Sequence, residues 1–115
     1  MRGLEKMLLE YVNACIKGEE TQENGDSKNF NKQHRVIQKI RKELKENQEY
    51  GIEKLLPYLE HPSPFVRLET AFSMITVAPE RAKEVLNQLK EIRGLTGYSA
   101  EITLSEWEKG NLKFD

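Results

Sequence analysis

The segment LEHPSPFVRLETAF, residues 59–72, decides the fold class, because it holds two of the four prolines within three positions. Pro62 cannot continue a helix that ends near Leu59, since it lacks an N–H and clashes with the preceding turn. Ser63 can accept a hydrogen bond from a free N–H of the next helix. Pro64 fits the first helical position, where no N–H is needed. The segment therefore predicts two helices, over 51–60 and 64–76, joined by a turn tight enough to make them an antiparallel hairpin.

Apolar residues recur at helical spacing on the N-terminal side of this turn as well. A first helix carries an apolar stripe that includes Cys15, and Gly18 is expected at its C-terminal end. The polar residues 19–27 predict a loop with an Asn-Gly turn. Asp26 or Ser27 is expected to cap the second helix.

The C-terminal part follows the same rhythm of apolar stripes and helix-breaking residues. Pro79 is expected to open a helix, Gly94 and Gly97 to bracket a loop, and Gly110 to close the last helix. No segment alternates apolar and polar residues as a half-buried strand does. The chain is thus predicted to be all-α, a single domain over 1–115 with about six helices in three antiparallel hairpins.

Composition excludes several functional classes. The 115 residues have a formal net charge of −1, which gives no overall electrostatic reason to bind nucleic acid or a membrane. No apolar run approaches the roughly 20 residues that span a bilayer, and the N-terminus does not resemble a signal peptide. The single cysteine permits no internal disulfide and fits a reducing compartment. These features predict a cytoplasmic protein without a membrane partner.

No motif for catalysis or for a bound metal or cofactor is visible. The chain has no Gly-rich phosphate loop and no Gly-x-Ser-x-Gly elbow. His34 and His61 lack cysteine or carboxylate neighbours at the spacing of a zinc site. Cys15 and Trp107 lie on apolar stripes and are expected to be core residues. The sequence predicts no enzyme, no metal and no cofactor.

The run LLPYLEHPSPFVRLETAFSMI, residues 55–75, resembles a HEAT repeat. From Gly51 onward the chain resembles a bacterial domain-of-unknown-function family of HEAT-like, armadillo-type fold. The last helix of that family carries an Ala-x3-Leu-x2-Trp-x2-Gly motif, matched here by Ala100, Leu104, Trp107 and Gly110. The resemblance implies a HEAT-like α-α superhelix with a binding role and no chemistry. It also implies that Arg67 reaches an acceptor within its hairpin or its neighbour.

The second predicted helix carries a stripe of cations. Five basic residues follow one another at steps of 4, 3, 4 and 3 and fall on one helical face: Lys28, Lys32, Arg35, Lys39 and Lys42. Residues 28–46 hold seven basic residues against two acidic ones, a balance of +5, so the rest of the chain carries −6. Such a face is either an ordinary solvated surface or a site for an acidic partner, protein or nucleic acid.

Polar residues on two later helices complete the predicted binding face. The helix over 64–76 is expected to expose Glu69 and Ser73, and the helix over 98–109 to expose Glu101 and Glu108. In stacked hairpins such helices line one concave surface. The predicted surface runs from basic to acidic, which suits a protein partner better than a nucleic acid.

Three functions follow from these features. The first is a non-catalytic protein-binding module, of which an immunity-type protein that neutralises a toxin domain is a concrete form. The alternatives are a nucleic-acid-binding protein that uses the basic helix, and a regulatory subunit of an enzyme complex. Both a monomer and a homodimer are compatible with the sequence, and Leu112 and Phe114 in the tail are candidates to cover one end of the array.

Overall fold

The computed structural model describes residues 3–47 and 50–112, and within these ranges it contains six helices and no strand. The elements are α1 (Leu4–Glu23), α2 (Ser27–Glu46), a 3-10 helix (Ile52–Glu60), α3 (Pro64–Met74), α4 (Pro79–Leu89) and α5 (Leu95–Glu108). The all-α class and the number of helices are confirmed. Leu112 is half-buried, whereas Phe114 lies outside the described residues.

The backbone divides into two compact units, Met1–Lys54 and Leu55–Asp115. The first unit contains α1 and α2, which lie side by side. The second contains α3, α4 and α5. The single domain over 1–115 stays a prediction.

Both helices of the first unit bury one apolar stripe. The buried side chains are Met7, Tyr11, Ala14 and Cys15 on α1, and Ile37, Ile40 and Leu44 on α2. Burial of Cys15 is therefore confirmed. Asp26 caps α2, because its carboxylate accepts hydrogen bonds from the backbone N–H of Asn29 at 3.2 Å and from the Asn29 side-chain amide at 2.7 Å.

The first helix is longer than predicted. It continues through Gly18, which is buried, and ends at Glu23. A glycine inside a helix costs only about 1 kcal/mol relative to alanine, and the following residues include good helix formers. The Thr21 hydroxyl also donates to the carbonyls of Lys17 and Gly18 at 3.0 Å. The chain turns instead at the predicted Asn-Gly pair, where Gly25 has a φ of 71°.

The two-proline turn forms as predicted. Ser63 is the N-cap of α3, and its hydroxyl accepts a hydrogen bond from the Val66 N–H at 3.3 Å. Pro64 occupies the first turn of the helix. The N–H of Ser63 also donates to Nδ1 of His61 at 3.0 Å, so the histidine ring supplies an acceptor for a backbone donor of the turn.

Helix pairing in the second unit differs from the expected hairpin between 51–60 and 64–76. The backbone of α3 approaches α4 most closely and α5 to a smaller extent, and α4 also packs against α5. The chain reverses after α3 through hydrogen bonds from the N–H groups of Val77 and Ala78 to the Met74 carbonyl. The residues before the proline turn form a tighter 3-10 helix that contains Pro57. A proline removes one backbone donor and clashes with the preceding α-helical turn, which is consistent with the 3-10 geometry.

Candidate functional site

Five of the seven cations of α2 form one continuous exposed row, here called the basic stripe: Lys28, Lys32, Arg35, Lys39 and Lys42. The buried residues Ile37, Ile40 and Leu44 lie on the opposite side of the same helix. The basic stripe covers fourteen helical steps from Lys28 to Lys42, about 21 Å at 1.5 Å per residue. The predicted exposure and common face of the basic stripe are confirmed.

Helix stability does not explain the basic stripe. The first turn of α2 contains no acidic residue but does contain Lys28, next to the positive end of the helix dipole. Like charges three or four positions apart also repel one another by a few tenths of a kcal/mol. The same charges attract an anionic surface, and this attraction raises association rates at moderate salt.

A surface groove of about 370 Å³ runs between α1 and α2, beside the basic stripe. Its apolar lining residues are Leu9, Ala14 and Val36. Lys32 and Lys39 are the i−4 and i+3 neighbours of Val36, so these two cations of the basic stripe lie next to the α2 wall of this groove. On α1 the charged lining residues are Lys6, Glu10 and Lys17, and Asn13 and Gln33 add neutral amides.

Sequence reasoning missed this groove, although one residue could have indicated it. Leu9 lies off the buried stripe of α1 and is 61% exposed. A large apolar side chain in that position is a sign of a surface for contacts. The groove also depends on the packing of α1 against α2, which periodicity alone does not describe.

The predicted acidic part of the site is only partly exposed. Glu101 and Glu108 on α5 are exposed. Glu69 and Ser73 on α3 are buried, so the expectation that α3 presents them to solvent is wrong. Their helix is covered on nearly all sides, and the Ser73 hydroxyl donates to the Glu69 carbonyl at 2.9 Å. The partner-binding role of the exposed residues stays a prediction.

The residues of the C-terminal motif are positioned by α5. Ala100 and Leu104 are buried as expected, whereas Trp107 is half-buried at the edge of the core. The Lys83 ammonium lies 5.5 Å from the centroid of the Trp107 ring, a distance that allows a cation–π contact. Arg67 is half-buried, and its Nε atom has no hydrogen-bond partner among the described residues.

The described residues include no group of three or more His, Cys, Asp or Glu side chains that could hold a metal ion. None of the helices in these ranges combines the length and apolar character that a bilayer-spanning helix requires. The pKa of the Asp26 carboxyl is lowered, mainly by the hydrogen bond from the side-chain amide of Asn29 and then by that from the Asn29 backbone N–H. This shift belongs to a helix cap and does not mark a catalytic group.

A solved structure shares the fold of the whole chain. The crystal structure of the protein RPA1889 from Rhodopseudomonas palustris CGA009 superposes with a TM-score of 0.92, covering 100% of this chain and 96% of that one. The two sequences are 22% identical, so the likeness concerns the fold alone. No curated protein gives a significant match.

The sequence also matches a family model over residues 5–105, which is most of the chain. The family is described as a domain of unknown function (DUF2019). A helical domain-of-unknown-function family, as the resemblance implied, is thereby confirmed, while the HEAT-like type and the C-terminal motif stay predictions. The chain belongs to the DUF2019 family.

Proposed function

We propose that this chain is a non-catalytic, HEAT-like protein-binding module that recognises an acidic protein surface through its basic stripe. The observation that carries the proposal is the exposure of five cations on one side of α2, opposite its buried residues. The single cysteine, which is buried, fits action in the cytoplasm. A concrete form is an immunity-type protein that binds and neutralises a toxin domain with an acidic face.

The charge distribution supports a protein partner. The basic segment 28–46 carries +5, whereas α5 contains three glutamates and no basic residue. Segment 28–46 attracts a polyanion such as nucleic acid, whereas α5 repels it. A folded protein can present an acidic patch to the basic stripe alone, and complementary patches contribute mainly to specificity and association rate.

Capture from a lysate of the source organism tests the proposal when two charge variants are compared. The first variant reverses Lys32, Arg35 and Lys39 to glutamate within the basic stripe. The matched control reverses Lys54, Lys90 and Arg93, which are also exposed, so both variants have the same net charge. We expect the control to retain the partner of the wild type and the stripe variant to lose it. Retention by both variants would contradict the proposal.

Nucleic-acid binding through α2 is the second candidate, and the row of cations without an interleaved carboxylate between Lys28 and Lys42 favours it. A gel-shift titration with duplex and single-stranded oligonucleotides at low salt separates the candidates. A nucleic-acid binder would shift both probes at micromolar concentration. If all five cations contact phosphates, the slope of log affinity against log salt would be about −4.5 for the duplex and about −3.5 for the single strand. We expect no such shift.

A regulatory role in an enzyme complex uses the same binding chemistry, with an enzyme as the acidic partner. The identity of the captured protein distinguishes it from the immunity-type role: an enzyme of metabolism indicates the former, and a toxin domain indicates the latter.

A further inference from the structure

The groove between α1 and α2 has the chemistry of a site for an acidic amphipathic helix. Its floor is apolar, with Ala14 at the base and Leu9 and Val36 beside it. Lys6 and Lys17 stand on the α1 side, and on the α2 side Lys32 and Lys39 of the basic stripe are the helical neighbours of Val36. Glu10 is the one carboxylate in the lining. Apolar grooves between helices commonly receive the apolar face of another helix, with anchors at i, i+3, i+4 or i+7.

The last helix of the chain offers such a face. Leu95, Tyr98 and Ile102 lie at positions i, i+3 and i+7 of α5 and are 53%, 61% and 42% exposed. We call these three residues the α5 ridge. The helix around them carries Glu101, Glu106 and Glu108 and no cation; the first cation after it is Lys109. These three side chains form an exposed apolar patch, a feature by which interaction sites are recognised.

We infer that the chain associates with itself, the α5 ridge of one copy docking into the α1–α2 groove of a second copy. Apolar residues meet apolar residues, and the acidic flanks of α5 meet the lysines at the rims of the groove. The lengths also agree, because α5, with its 14 residues, and the basic stripe each extend about 21 Å along a helix. Leu9 in the groove and Tyr98 on the α5 ridge are each 61% exposed.

This inference goes beyond the proposed function. Two copies that exchange ridges reciprocally form a closed, isologous dimer. A one-way contact between ridge and groove is heterologous and extends as the concentration rises. A single helix in a groove is a small interface, for which micromolar affinity is typical. Docking covers Lys32 and Lys39, so an acidic protein that binds the basic stripe competes with self-association.

Complementation between two variants tests the inference. Leu9→Glu places a negative charge in the groove, where it repels the acidic α5 of another copy. Tyr98→Lys places a positive charge on the α5 ridge, where it repels the basic groove. Both residues are exposed, and glutamate and lysine are good helix formers, so both variants should fold. Leu9→Gln and Tyr98→Gln are the uncharged counterparts of these two variants. Circular dichroism checks that each of the four variants folds.

In sedimentation velocity from micromolar to millimolar concentration, we expect the wild type to associate and each charged variant alone to remain monomeric. An equimolar mixture of the two charged variants should associate again, because each supplies the surface that the other has lost. Val77→Glu, a change at an exposed residue outside both surfaces, should associate like the wild type.

Three results would overturn the inference: a wild type that stays monomeric throughout, a mixture that stays monomeric, or loss of association in Val77→Glu. None of them bears on the proposed function, since capture of an external partner is measured with variants of the basic stripe. Conversely, if the wild type captured no external partner, the proposed function would be contradicted, but the result of the complementation experiment would still stand.

Discussion

At the turn before α3, one serine hydroxyl satisfies a backbone donor that would otherwise lack an acceptor. Ser63 accepts from the Val66 N–H, between the two prolines that end one helix and begin the next. This junction could be predicted from sequence, because all its determinants lie within a few residues. The contribution of His61, which accepts from the Ser63 N–H, could not, since it depends on the path of the backbone.

Replacement of Ser63 tests the cap. Ser63→Ala should lower the free energy of unfolding by about 1 kcal/mol, because it leaves a helix N–H without its acceptor. Ser63→Asn, which retains an acceptor, should lose much less. Urea denaturation measures both values, and equal losses in the two variants would show that the hydroxyl does not act as a cap.

Leu104 and Trp107, both in the C-terminal half of α5, should differ in their contribution to stability. Leu104→Ala should lower the free energy of unfolding by about 2–5 kcal/mol, since it leaves a cavity in the core. Trp107→Ala should lower the free energy of unfolding by less than the replacement of a fully buried tryptophan would. The reason is that the Trp107 ring is half-buried and lies beneath Lys83. Val77→Ala serves as an exposed control. Thermal melts of Leu104→Ala and Val77→Ala that coincide would contradict burial of Leu104.

Asp26 makes the stability of α2 depend on pH in the acid range. Because the pKa of its carboxyl is lower in the folded state, the stabilisation is present above the unfolded-state pKa of about 4 and is lost as the pH falls through the folded-state pKa. Asp26→Asn keeps a capping oxygen without the charge. Urea unfolding from pH 6 to pH 2 should show that the free energy of unfolding depends less on pH for Asp26→Asn than for the wild type. Equal pH dependence of the two proteins would contradict the role of the Asp26 charge.

At the scale of the helices, the glycines are the residues whose role sequence patterns predict least well. Gly18 and Gly97 were both expected at helix ends or in loops, and both lie inside helices. Glycine permits a left-handed turn, but it also permits a close approach of backbones, and the sequence does not distinguish these uses. Gly25 and Gly110 do have positive φ angles, as expected for residues that follow a helix.

Gly97 illustrates the close approach. A Cβ atom at this position would collide with the backbone carbonyl of Ile92 and lie 3.2 Å from the carbonyl oxygen of Leu89. Gly97→Ala should therefore lower the free energy of unfolding by at least about 1–3 kcal/mol, although alanine is the better helix former. Gly3→Ala, where a Cβ meets nothing within 4 Å, is the matched control. A Gly97→Ala protein as stable as the control would contradict the observed start of α5.

The candidate site shows where helical periodicity is sufficient. Helical periodicity predicted the basic stripe correctly, because the exposed side of an amphipathic helix follows from the helix's own sequence. Periodicity predicted the exposure of Glu69 and Ser73 wrongly, because nearly all sides of α3 are buried. The groove beside α2 was missed for a related reason, since its walls come from two helices.

For the whole molecule, a net charge of −1 conceals a strong separation of charge along the chain. The segment 28–46 is basic, and α5 is acidic and apolar on its exposed side. Sequence and composition could predict this separation and the all-α class. They could not predict the pairing of α3 with α4, since the proline turn specifies where the chain bends but not which helix lies closest.

The central claim is that the basic stripe attracts an acidic protein, and the association rate of the captured partner tests it most directly. Stopped-flow mixing at low salt should show that reversal of Lys32, Arg35 and Lys39 slows association at least about tenfold, whereas reversal of Lys54, Lys90 and Arg93 changes it little. The difference should shrink near molar salt, where the screening length is about 3 Å. Equal rates for the two triple variants at low salt would contradict the claim.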